Sequence, residues 1–76
     1  MNKARRKTIS KSLEELCDAL PMLKEVLEDN KKLLGSIPDE EENEERISNL
    51  EDRIESIENA ISSLEEAISA LEQIDL

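Results

Sequence analysis

Apolar residues recur through the second half of the chain at Ile47, Leu50, Ile54, Ile57, Ile61, Leu64, Ile68 and Leu71. The steps alternate three and four without a slip, the heptad period of a helix that packs lengthwise on another helix. The first half repeats the pattern at Ile9, Leu13, Leu16, Leu20, Leu23, Leu27, Leu34 and Ile37, with Asn30 as one polar interruption. The pattern predicts an all-α fold: a single antiparallel helical hairpin with helix one over about residues 3–34, an acidic link over 35–43 and helix two over about 44–74.

Punctuation residues refine these limits. Pro21 removes the hydrogen bond to the Cys17 carbonyl and crowds that turn, which predicts a kink. The seam keeps its register across Pro21, so the expectation is one kinked helix, with Asp18 as the available cap if the helix were interrupted. Gly35 follows Leu34 at a place where helices commonly end in a left-handed glycine cap, and Ile37 precedes Pro38, which biases it out of the helical region. Six acids fall within Asp39 to Glu45, around Asn43. They read as a solvated link merging into the first turn of helix two, where carboxylates suit the positive end of the helix dipole. The competing cation site lacks the glycine-containing spacing of a calcium loop.

A short link makes the helices antiparallel, so heptad position e faces e and g faces g. Position a holds Leu13, Leu20, Leu27 and Leu34 in helix one and Ile47, Ile54, Ile61 and Ile68 in helix two; the remaining seam residues occupy d. If level residues have numbers that add to 84, Leu13 meets Leu71, Leu20 meets Leu64, Leu27 meets Ile57, Leu34 meets Leu50, and Asn30 faces Ile54. The same register sets Lys31 beside Glu51 and Lys24 beside Glu58, leaving Asn30 and these four charges as the register-setting residues. The alternative, a sum of 77, tightens the turn but strands Leu71 opposite Arg6. Such exposed ion pairs contribute about 0.3–0.5 kcal/mol each and select register more than they hold the hairpin.

The g flank widens the apolar stripe beyond what one partner helix covers, through Ala19, Val26 and Leu33 in helix one and Ala60, Ala67 and Ile74 in helix two. A hairpin with so wide a stripe is expected to self-associate. Two copies forming a four-helix bundle are the simplest closed solution, and docking on a different protein is the competing use.

Composition removes most chemistry. Cys17 is the sole cysteine, so no disulfide can form within the chain; it reads as a small half-buried residue in a reducing compartment. There is no histidine, one glycine and no aromatic residue, which disfavours imidazole catalysis, metal ligation, a phosphate-cradling loop and base stacking. The acids fall on solvated faces with no buried environment to raise a carboxyl pKa, and the chain reads as a non-enzyme without cofactor or metal. No apolar stretch is long enough to span a membrane, and the expected location is the cytoplasm. The net charge is −10, unevenly spread. Residues 1–11 hold Lys3, Arg5, Arg6, Lys7 and Lys11 with no acid, a local +5, and the other 65 residues carry −15. In a hairpin this basic start lies alongside Glu72, Asp75 and the terminal carboxylate; its other use is contact with nucleotide or nucleic-acid phosphates, or with an acidic partner.

The start MNKARRK, the Ile37-Pro38 step followed by acids and Glu45-Arg46, and the ending AISSLEEAISALEQI together resemble a group of short, uncharacterised two-helix proteins encoded by phages and prophages of Firmicutes. The resemblance implies a mobile-element accessory protein in a bacterial host cell, with a host or phage protein as partner. The expected function is therefore binding or masking of a protein surface. Rows of carboxylates imitating nucleic-acid phosphates give one concrete form of it. The alternative is an oligomeric module whose basic N-terminal helices bind phosphates.

Overall fold

The computed structural model describes residues 2–74 and is all-α, with two long helices joined through one 3-10 turn. Helix α1 spans Lys3–Ser36, the 3-10 turn Glu41–Asn43, and α2 Glu44–Glu72. At 1.5 Å per residue the helices measure about 51 and 44 Å, yet the molecule is only 60 Å long. The chain therefore folds back on itself. Its cross-section is 14 Å both ways. One such width is what two helices at the usual 8–10 Å separation require, with about 2.3 Å of Cα radius added on each side. Two straight rods in one plane would measure only about 5 Å the other way, so the helices do not lie flat beside each other.

Each end of α1 has a local cause. Asn2 is extended (φ −79°, ψ 167°), and its side-chain oxygen accepts a hydrogen bond from the Arg5 N–H at 2.8 Å. That satisfies one of the unpaired N–H groups of the first turn. The helix runs unbroken through Pro21, and Asp18 lies inside it rather than capping a new segment. Both Pro21 and Cys17 are exposed. The Cys17 carbonyl that loses its partner therefore lies on the watered side of the helix.

The expected glycine cap does not form. Gly35 has no positive φ and belongs to the last helical turn, which continues to Ser36. Termination comes instead from Ile37, extended at φ −86° and ψ 123°, whose N–H still reaches the Leu34 carbonyl at 3.2 Å. The following Pro38 forces that extended geometry. The acids of the link are all exposed, and its backbone is held by hydrogen bonds as well. The Pro38 carbonyl accepts from the Glu40 N–H at 2.9 Å and from Asn43 Nδ2 at 3.0 Å, while the Asn43 N–H donates to the Glu40 carbonyl at 2.9 Å. Glu44 and Glu45 occupy the first turn of α2. Helix α2 ends at Glu72, two residues before the expected Ile74; Gln73 and Ile74 close as a turn onto the Ser69 and Leu71 carbonyls.

Two substitutions test this account. Gly35 is helical, and an added Cβ would meet nothing within 4 Å. Gly35→Ala should therefore stabilise the protein by about 0.5–1 kcal/mol in urea denaturation; a left-handed cap would give a loss instead. Pro21→Ala restores the missing hydrogen bond at an exposed site and should stabilise by about 2–3 kcal/mol.

Candidate interaction surface

Among the described residues only Leu50, Ile54, Ile61 and Ile68 are buried, all of them on α2. Three of these belong to the isoleucine column at a, whereas Ile57, Leu64 and Leu71 at d remain half-buried. Over the central and last turns of α2 the contact is thus centred towards a; nearer the link it shifts, with Leu50 at d buried and Ile47 at a half-buried. Around a helix the order is e, then a, then d, then g and c, so the side left open is the one that continues from d into g. On α1 every seam residue from Ile9 to Ile37 is half-buried, including Asn30.

The opposite flank, where e faces e, is charged. Lys31 Nζ lies 3.9 Å from Glu58 Oε2, the one ion pair within 4 Å among the described residues. The lysine of one expected pair thus meets the glutamate of the other, one heptad along from Glu51, and Lys24 pairs with neither. Helical side chains lean towards the N-terminus of their own helix. In an antiparallel pair that lean carries the two side chains apart in one of the two e–e options and together in the other. The pair is about half exposed on both sides, which places its contribution below about 0.5 kcal/mol.

Two further observations set the level of the helices. Leu33 lines one open groove with Leu50, Arg46, Arg53 and Glu42. The length of 60 Å also matches a number sum near 84, since a sum of 77 would give a rod of roughly 55 Å. Asn30 sits in the seam, and its Nδ2 donates to the Val26 carbonyl of its own helix at 2.8 Å. The amide is partly satisfied locally, which lessens the cost of its place among apolar neighbours.

The open flank carries the residues named from the heptad pattern. Val26 is 46% exposed, Leu33 42% and Ile74 36%; Ala60 and Ala67 are exposed and Ala19 is half-buried. Met22, at 67%, is the most exposed large apolar side chain among the described residues. It stands three residues after Ala19 and four before Val26, a spacing that marks the same face, but it belongs to c and escapes a count of g positions. On α2, Ser56, Ser63 and Ala70 are exposed and interleave with Ala60 and Ala67 at steps of three and four. A narrow track of small side chains thereby runs beside the d column.

At the other sequence-predicted sites, Lys3, Arg5, Arg6, Lys7 and Lys11 are all exposed on the first turns of α1. Glu72 is exposed and forms no ion pair with them among the described residues; Asp75 and the terminal carboxylate lie outside the described residues. Cys17 is exposed, not half-buried as expected, because position e faces outward on the charged flank. No three acidic or thiol groups converge as a metal site, and no helix is long and apolar enough to cross a membrane, among the described residues.

Asn30→Leu should raise the melting temperature by about 4–8 °C, corresponding to about 1 kcal/mol, followed by circular dichroism. A lower melting temperature would show that the Asn30 amide contributes more than it costs. No protein-family model matches the chain, and no match was found among curated proteins or solved structures.

Proposed function

We propose that this protein is a non-enzymatic helical interaction protein of the phage or mobile-element kind, acting in the bacterial cytoplasm by occupying a surface of another protein. Its working form is a dimer, two hairpins joined along the d and g flank as a four-helix bundle. The observation that supports this reading is the exposed apolar face of Met22, Val26, Leu33 and Ile74, set beside half-buried leucines at d. Single exposed apolar residues need no explanation, but an apolar face continuous with the core does. Once that face is covered, the outward surface is dominated by carboxylates, which suits a basic groove such as one that binds nucleic acid. A second reading has one observation in its favour: five basic side chains are exposed on three consecutive turns. In it, these residues contact nucleotide or nucleic-acid phosphates.

Light scattering on the wild type should give the mass of two chains. Val26→Glu with Leu33→Glu changes side chains that are nearly half in water, at 46% and 42% exposure. The doubly substituted protein should keep its helical circular dichroism while its mass halves. Binding to a single-stranded oligonucleotide at low salt, falling steeply as salt is raised, would favour the phosphate reading.

A further inference from the structure

We infer that the second copy lies face to face on the d and g flank with its long axis reversed, so that the acidic link of each copy sits beside the basic first turns of the other. This rests on the self-association reading above and adds the orientation.

The position of the face comes first. On α1 the exposed apolar track is centred on Met22, between Ala19 and Val26. On α2 the track of small residues is centred on Ser63, between Ala60 and Ala67. With level residues adding to about 84, Met22 and Ser63 stand at the same height. Met22 is twenty residues from Asn2, about 30 Å along the helix, half of the 60 Å length. A two-fold axis through this level superposes the copies over their whole length and leaves no overhang. Reversal about that axis stacks α1 on α1 and α2 on α2, each pair antiparallel. Ala60 of one copy then meets Ala67 of the other, and side chains this small let the α2 backbones approach to the short end of helix separations.

Charge decides the direction. Lys3, Arg5, Arg6, Lys7 and Lys11 lie at one end of the rod, and the acids of Asp39–Glu45 at the other. Copies stacked in the same direction would bring five cations against five and six acids against six. Reversal sets unlike charges against each other at both ends, with Arg5, at g, the basic residue on the facing flank.

The chain exposes 5905 Å², whereas a compact monomer of this mass exposes about 4,700 Å²; the rod shape leaves about 1,200 Å² more in water, surface that a second copy can cover.

The test uses the full chain with Cys17→Ser and Ser36→Cys, spin-labelled at position 36 and checked for unchanged helicity. Dipolar distance measurement at low salt should give about 40 Å between labels in the reversed dimer, against roughly 20 Å or less if both copies point the same way. Replacing Arg5, Arg6 and Lys7 by Glu should weaken dimerisation at least tenfold at low salt and have less effect at 1 M salt. A two-chain mass with the short distance overturns the reversed orientation and leaves self-association standing. A single-chain mass removes both and points to a different protein as the occupant. A mass above two chains overturns the paired stacking.

Discussion

The structure depends on burying one stripe along α2 against one stripe along α1, with nothing else available to do it. A rod of two helices has no third layer, so each helix can cover only the face turned towards its neighbour. The result is visible in the burial: four residues on α2 lose nearly all their exposure, and every seam residue of α1 keeps part of its own. Against an unfolded chain of this mass the hairpin hides about half of the surface, less than the 60% or so reached by compact domains of 60 residues. Marginal burial and a leftover apolar face are two descriptions of the same geometric fact.

Around that stripe, the local devices fix where the rod begins, turns and ends. Asn2 closes the first turn, Ile37 before Pro38 ends α1, and the Pro38 carbonyl collects two donors that hold the link in shape. These bonds let seven residues, six of them from an acidic run and its proline, reverse the chain without a glycine in a left-handed conformation. Helix α1 tolerates Pro21 because the turn it disturbs faces water.

Charge then separates the two flanks and the two ends. The e flank is closed by groups such as Lys31 and Glu58 that remain half in water, so it repels further apolar contact while adding little stability. The g positions carry no charge over the central turns, and the charges nearest them on α1 are Glu15 and Asp29, in the same c column as Met22. Arg46 and Arg53 appear only near the link, beside Leu33 and Leu50. An uncharged track between a charged flank and an acidic outer face gives the hairpin one side suited to dry packing and another suited to a basic surface.

By itself the sequence determined the two helices, the fold-back and the identity of the seam, because a three-four apolar period has one economical use and Ile37-Pro38 interrupts it once. It also marked Val26, Leu33 and Ile74 as surplus, since one neighbouring helix does not cover g. Other features depended on distances that a pattern does not contain. Gly35 suits a cap by residue type, but the helix end is set two residues later, at Ile37, by the extended geometry that Pro38 imposes on it. Met22 lies at c, outside the a, d, e and g columns, and its exposure follows from where the contact is centred rather than from its own neighbours. Cys17 is apolar enough for a core yet sits on the outer side of e. The exchange of Glu51 for Glu58 opposite Lys31 is the plainest case: both glutamates share a column, and only the lean of real side chains along two opposed helices decides which one the lysine reaches.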